Sequence, residues 1–327
     1  MSELREFHDE LRAVARDLLG TACDDVDWRQ VADVGWPGLE VPESLGGAGA
    51  SFVETAILLE ELGRAGARTP FLGTTLAVGA LTALSPNDSR DALLQRIGSG
   101  TTAAFATGFT ATDGAVSGRA EFVPDAGAAE VVLLLAEGDD GPVVVTSPGL
   151  SVEAQPVLDE TRALAVVTAD GAAVAESWPL AADPVKLRDR AAVAVACDSL
   201  GVAEAMMAAT VDYVKVRQQF GRPIGSFQAV KHACADMLVQ TSVARQLVDA
   251  AVVQVARGTD ASAAASMAKS YACGMAVDVV GKAMQLHGGI GYTWESGVHV
   301  YLKRAALNRA LFGSPAAHRQ RLARRYG

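Results

Sequence analysis

Tyr213-Val-Lys-Val-Arg217-Gln-Gln-Phe220-Gly221-Arg222-Pro223-Ile224-Gly-Ser-Phe227-Gln228-Ala-Val-Lys231-His232 runs past the middle of the chain, and Gln285-Leu-His287-Gly288-Gly289-Ile-Gly291-Tyr292 follows downstream. A phosphate is held best by a guanidinium that bonds two oxygens at once and by backbone amides brought close where no Cβ intervenes. Arg217 offers the first, and Gly288, Gly289 and Gly291 offer the second. Each segment also has a purely structural reading. Gly221 then Pro223 would end a helix unaided, and a cation such as Arg217 suits its last turn. The glycines follow a helical pattern rather than a strand, so they are not a Rossmann turn, and by themselves they could be a simple turn.

Working outward, apolar spacing predicts long helices over 187–217, 227–256, 261–286 and 298–312, with a short basic helix to the end. Before them, from about Thr101, short Val, Ala, Leu and Thr runs predict strands at 103–107, 114–122, 131–136, 142–146 and 164–167. Asp113-Gly114, Asp140-Gly141 and Asp170-Gly171 are turn signals between them, so a small antiparallel β domain is expected. Residues 3–34 read as one or two helices, with further helices at 52–65, 74–84 and 90–97. The expected fold class is α+β, mainly α, in three domains: helical over 1–100, β over 101–184, and a helical bundle over 185–327.

The 327 residues are half hydrophobic and only 6% aromatic, which suits a helix-rich globular protein of two or three domains. A formal charge of -10 argues against a nucleic-acid partner. The charge is uneven: after Glu295 there is no acid, while Lys303, Arg304, Arg309, Arg319, Arg321, Arg324 and Arg325 accumulate. At helical spacing these cations are expected to face a partner subunit or a phosphate-bearing ligand. Cys23, Cys197, Cys234 and Cys273 lie scattered in apolar stretches with no metal-ligand spacing, and read as buried thiols in a reducing compartment. The charged N-terminus lacks a signal peptide's apolar core, and no apolar run of spanning length is free of breakers. A cytoplasmic protein with no membrane partner is expected.

Together and in this order, the two opening segments resemble the C-terminal helical domain of the acyl-CoA dehydrogenase family of flavoenzymes, which carries Arg-x-x-Phe-Gly-x-Pro-Ile-x-x-Phe-Gln and then Gln-x-x-Gly-Gly-x-Gly-Tyr. Gly35-Trp36-Pro-Gly38-Leu-Glu-Val-Pro42-Glu43-Ser-Leu-Gly46-Gly47-Ala-Gly49, followed by Glu60-Glu61-Leu62-Gly63-Arg64, is similar to the family's N-terminal helical domain and glycine loop. That loop reads mainly as a surface connection. With a β domain between two α domains, the resemblance covers nearly the whole chain and implies FAD as cofactor and an acyl-CoA thioester as substrate. In such enzymes a carboxylate takes the proton beside the thioester carbonyl while the flavin accepts hydride from the next carbon.

The chain departs from that pattern where the chemistry is done. Many members place the base in a Tyr-Glu-Gly-Thr segment, matched here by Leu311-Phe312-Gly313-Ser314, so Phe312 stands in the base position. Others carry it ten residues before a helix glycine; counting back from Gly201 gives Ala191, with Ala192 where an arginine often follows. Asp189, Asp198 and Glu295 are the acids near these places; Asp189 reads as a solvated or ion-paired helix-start residue, and Glu295 matches a structural acid. The Thr-Glu-Pro-x-x-Gly-Ser-Asp segment that holds the flavin ring is missing from the β domain.

The resemblance thus implies no catalytic residue here, and cofactor contacts from Arg217 to the pyrophosphate, Phe220 to the ribityl chain or ring edge, and Gln228 to the adenosine. Gln285, Gly288, Gly289 and Gly291 would complete the phosphate contact, and Ser314 would add a hydroxyl; Ala316 stands where many members keep a Gln. Core packing is the simpler reading for Phe220, Phe227 and Tyr292, and the preferred one for Phe227. No metal site is expected. The retained parts are those that reach a neighbour's flavin. The expected protein is therefore the short, non-catalytic subunit of a heteromeric dehydrogenase of the kind used in actinobacterial steroid breakdown, in an α2β2 tetramer with a longer, Glu-bearing homologue. Two other readings stand beside it: a self-sufficient flavoenzyme with an unusual base, and a flavin-free acyl-CoA-binding or scaffold protein.

Overall fold

The structure is a computed structural model describing residues 2–20 and 25–326. The chain groups into two compact units, one of residues 25–55 and 68–190 and the other of 1–24, 56–67 and 191–327.

In the first unit, α2 (Trp28–Asp33), α4 (Phe71–Thr82) and α5 (Asp88–Gly98) accompany a seven-stranded sheet of order β5-β6-β2-β1-β3-β4-β7. The strands are β1 (Ala103–Thr112), β2 (Ala115–Pro124), β3 (Val131–Gly138), β4 (Gly141–Thr146), β5 (Ser151–Ala154), β6 (Leu164–Ala173) and β7 (Glu176–Pro179). The sheet is larger than expected and mixed rather than antiparallel, because β1 pairs parallel with β3. Asp113-Gly114 and Asp140-Gly141 do make hairpins, but Asp170-Gly171 lies inside β6. There Gly171, at φ +60, sits beside a register shift of the β2–β6 pair and donates to Ser117 Oγ at 3.1 Å, so the glycine makes a bulge and not a turn. Strands β5 and β7 escape the sequence pattern because each is four residues long, and β5 is exposed throughout.

Helix α4 is buried on every side from Phe71 to Leu81, which explains its lack of amphipathic spacing. It is fixed to β1 through Thr74, whose hydroxyl donates to Ala103 O at 3.3 Å and accepts from Ala103 N at 3.2 Å. The glycine loop is more than a surface connection. Trp36, Pro37 and Gly38 are buried, and a methyl at Gly47 would meet Gly38 O at 2.6 Å. Glu40 receives both Arg190 amino groups, at 2.8 and 2.5 Å, and the guanidinium lies 4.4 Å from the Phe52 ring centre.

The second unit contains α1 (Ser2–Leu19), most of α3 (Phe52–Ala65), α6 (Val185–Val216) from Ala191 on, α7 (Gln228–Ala256), α8 (Ser262–His287), α9 (Val298–Ala310) and α10 (Pro315–Tyr326). Helix α6 is long and apolar enough to cross a bilayer, yet residues 191–203 are all buried within the protein, as in the core helix of a globular domain. It approaches α3 closely: a methyl on Gly201 would overlap the Glu60 carbonyl, and one on Gly63 would overlap the Asp198 carbonyl. Small residues at the crossing let two backbones touch.

Polar groups at this contact are satisfied. Arg304 Nη2 and Asn308 Nδ2 donate to Asp198 at 2.5 and 2.6 Å, and Arg304 Nη1 donates to Ala67 O at 2.8 Å. Arg304 is 1% exposed, so this cation of the basic tail belongs to the core, not to a partner-facing surface. Arg245 bridges Glu60 (2.6 and 2.5 Å) and Glu204 (2.6 Å), and burial pushes the Glu60 carboxyl up. Cys197 and Cys273 are buried as expected; Cys234 is only half-buried, and Cys23 lies outside the described residues.

Candidate functional site

The predicted cofactor residues come from the ends of α6 and α8 and the start of α7. Helix α6 stops at Val216, and Arg217 N still donates to Tyr213 O at 2.9 Å. A tight hairpin follows, β8 (Gln218–Gln219) against β9 (Arg222–Pro223), with Phe220 (φ +53) and Gly221 (φ +76) at its tip. Both tip residues have positive φ, as a type I′ turn demands. Gly221 is thus a hairpin residue and not the helix terminator that its position suggested.

Tyr213 joins the two helix ends. Its ring stacks on His287 at 4.4 Å between centres, and its hydroxyl donates to His287 O at 3.3 Å. His287 Nδ1 lies 2.8 Å from Ala283 O and donates to it, fixing the ring. Helix α8 ends here, and Gly288 to Tyr292 form a 3₁₀ turn. Gly288 has φ +64, and a Cβ on Gly288 or Gly289 would point into open space. Gly291 differs: it is buried, and a methyl there would meet Met284 O at 2.6 Å, so it closes the turn.

Arg217, Gln228, Gln285, Gly288 and Gly289 are exposed. The Arg217 side chain makes no hydrogen bond or ion pair with another described residue, and it is exposed, so its guanidinium has its donors available. Phe220 is 90% exposed and Tyr292 70%, which sets aside core packing for both. Phe227 is half-buried, with the Phe220 ring at 6.1 Å and the Arg222 guanidinium at 4.1 Å from its ring. An exposed guanidinium one helical turn past Tyr213, and open glycine amides directly after the His287 on which Tyr213 stacks, are groups suited to an anion such as a pyrophosphate. Among the described residues no cluster of His, Cys, Asp and Glu could hold a metal.

Ser314 is not part of this cluster. It lies at the turn between α9 and α10, next to the opposite end of α8, where His318 reaches Ser266 and Lys269 reaches Asn308 O. Lys269 precedes His287 by eighteen residues of helix, roughly 27 Å at 1.5 Å per residue. Ser314 Oγ accepts from Ala317 N at 3.2 Å and so caps α10.

Residues 188–327 match the acyl-CoA dehydrogenase C-terminal domain, and residues 2–101 match the acyl-CoA dehydrogenase N-terminal domain. The chain is 36% identical over 315 residues to acyl-CoA dehydrogenase IpdE2 of Mycolicibacterium smegmatis, covering 96% of this chain and 91% of that protein. It belongs to the acyl-CoA dehydrogenase family. IpdE2 of Mycobacterium tuberculosis is 37% identical over 302 residues, covering 91% of this chain and 86% of that protein. Among solved structures, a chain of the Tcur3481-Tcur3483 steroid ACAD superposes with a TM-score of 0.87 at 31% identity, covering 98% and 97% of the two chains. The ChsE4-ChsE5 complex from Mycobacterium tuberculosis has the same fold, with a TM-score of 0.87 at 24% identity, covering 98% of this chain and 96% of that one.

Acyl-CoA dehydrogenases are FAD-dependent oxidoreductases acting on CH–CH bonds, and the positions that the resemblance matches to the family base, 191 and 312, hold no acid. Ala191 and Ala192 are buried, 5% and 0% exposed. Phe312 is half-buried with φ +55. Asp198 is 1% exposed and committed to Arg304 and Asn308. Asp189 is 5% exposed, so it is a buried helix-start residue and not a solvated one. Glu295 is exposed in a short 3₁₀ turn.

Sequence reading passed over Lys269 and His318, which grip the α9–α10 turn. The available signal was a lone cation on an otherwise apolar helix face, among Ala265, Ala268, Ala272 and Ala276. It also passed over Trp294, 75% exposed, which has His299 at 4.4 Å and Lys303 at 5.1 Å from its ring.

Proposed function

We propose that this chain is the non-catalytic subunit of a heteromeric acyl-CoA dehydrogenase that desaturates an acyl-CoA thioester between its α and β carbons. It would complete the FAD site of a longer partner that carries the base. The observation that carries the reading is a contrast within one chain. The residues suited to a dinucleotide face outward at the joined ends of α6 and α8, while both base positions hold groups that cannot take a proton.

On this reading Arg217 bonds the pyrophosphate of the partner's cofactor, with the amides of Gly288 and Gly289 beside it. Gln285 completes the phosphate contact, Gln228 approaches the adenosine, and Phe220 covers the ribityl chain or ring edge. Gly291 shapes the turn. When bound, FAD supplies the acceptor for the two electrons leaving the substrate. Proton abstraction falls to the partner's Glu, since a phenyl ring at 312 and methyl groups at 191 and 192 have no lone pair to offer. The assembly would be α2β2, and the steroid ACAD likeness favours a steroid-derived acyl group and a cytoplasmic place in its breakdown.

Co-expression with the longer homologue tests this. Arg217→Ala should release most of the FAD from the assembled complex, raising its Kd about tenfold or more, while leaving subunit assembly intact. Unchanged FAD affinity in that variant would overturn the reading and leave a flavin-free scaffold role.

A further inference from the structure

Arg217 and the glycine turn belong to different helices, so for both to act on one anion the ends of α6 and α8 must be held in register. Arg217 is fixed by its backbone alone. Its N donates to Tyr213 O at 2.9 Å, and its O accepts from Ile224 N at 2.8 Å, which closes the base of the hairpin. The first of these bonds carries the helical path of α6 one residue further, so Arg217 and Tyr213, four positions apart, share a face.

On that face Tyr213 meets the end of α8. Its ring lies 4.4 Å from the His287 ring with 19° between their planes, and its hydroxyl donates to His287 O at 3.3 Å. That carbonyl belongs to the planar peptide leading into Gly288, so the bond orients the plane from which the glycine turn departs. His287 is itself tied down through Nδ1, 2.8 Å from Ala283 O. At the other end of the turn Gly291 lies so close to Met284 O that a methyl there would meet it at 2.6 Å. Both rings are half-buried, at the helix ends and not in the core. Two stacked rings, each with a polar group bonded to the α8 backbone, make a joint of fixed direction, where a pair of aliphatic side chains would slide. Directional supports of this kind are what a binding constellation needs behind its contact groups.

We propose that Tyr213 and His287 are positioning residues for the dinucleotide, and that their stack sets the Arg217 guanidinium and the glycine turn at the spacing one pyrophosphate requires. The two rings act through Arg217 and the turn. With the joint intact, both groups are ordered before the anion arrives, so little of their binding is spent on arranging them. With the joint loosened, each meets the anion singly, and the contribution of Arg217 falls along with that of the stack. This inference rests on the partner-subunit reading, which brings the dinucleotide to this end of the chain.

The test measures FAD affinity by flavin fluorescence in the complex assembled with the longer homologue, beside a thermal scan. Tyr213→Leu should weaken FAD about tenfold or more. In that background Arg217→Ala should add less than about threefold, against about tenfold in the native one. His287→Leu should behave as Tyr213→Leu does, while His287→Phe, which keeps a ring to stack on, should stay within about threefold of native. A merely structural role would lower the thermal midpoint and leave the effect of Arg217→Ala undiminished. Native FAD affinity in the Leu variants, or a full effect of Arg217→Ala on top of Tyr213→Leu, overturns the proposal. If the Leu variants do not assemble, Tyr213→Phe carries the test: loss of the bond to His287 O alone should weaken FAD about threefold, and no change overturns the proposal. FAD released by Arg217→Ala but held by the Tyr213 variants sinks this inference and leaves the partner-subunit reading standing; FAD held by Arg217→Ala sinks both.

Discussion

His318 shows how a single side chain carries both a structural and a titrating role. Burial, with a smaller push from Arg321 and Lys269, holds its imidazole down at about 4, against the hydrogen bond to Phe312 O. Burial favours the neutral ring; on protonation Nδ1 would donate to Ser266 Oγ instead of accepting from it. A base whose folded pKa is depressed stabilises the fold fully above its unfolded value, near 6.5, and loses that contribution as pH falls toward about 4. At about 1.4 kcal/mol per unit of pKa the total is roughly 3 kcal/mol. Urea unfolding between pH 7 and pH 4 should show this loss, and His318→Asn, less stable at pH 7, should show a correspondingly flatter profile. An unchanged slope in the variant would assign the titration to another group.

At this same scale the sequence was legible in part. Arg217, Gln285, Gly288 and Gly289 stand out as a possible phosphate set because guanidinium and glycine chemistry is local. Exposure is not local. Whether Phe220 and Tyr292 packed inward, and whether Arg304 faced a partner or Asp198, depended on elements far away in the chain.

Among the elements, the α3–α6 crossing is the least forgiving. Glycine at 63 and 201 lets a backbone carbonyl of each helix lie against the other helix's Cα. A methyl at 201 would also stand 2.8 Å from Arg64 N, and neither helix can yield without moving the Glu60–Arg245 and Asp198–Arg304 pairs. Gly201→Ala should therefore destabilise the protein by about 3 kcal/mol or more, read as a lowered urea midpoint. An exposed control, Gly258→Ala, would be strained by its φ of +65 alone and should cost less. Equal effects would mean that the crossing is looser than the backbone contact implies.

The long helices were readable because 26 to 32 residues of apolar spacing dominate any local irregularity. Strands β5 and β7 were not, being short, and the parallel β1–β3 pairing was not, since hairpin signals report only neighbours in sequence. The Asp170-Gly171 signal was genuine left-handed chemistry used for a bulge. The α9–α10 clamp stayed hidden for a related reason: nothing near Lys269 in sequence shows that it meets Asn308 thirty-nine residues on.

For the whole molecule, on the proposed reading a chain of the acyl-CoA dehydrogenase family with outward-facing residues suited to a dinucleotide, and with no acid at the proposed base positions, is incomplete as an enzyme by itself. Its compact units are well built: buried ion pairs are matched, and the long helices are closely packed. On that reading what the chain lacks is chemistry rather than fold, and a partner's site is where its exposed residues would act. The central claim is thus about where FAD is held, and it is tested most directly by FAD per polypeptide. This is the absorbance of released flavin against protein concentration, for the chain purified alone and for the chain assembled with its longer homologue. Little or no FAD alone, with FAD retained by the assembled pair, is the predicted result; near-stoichiometric FAD in the chain alone would contradict it.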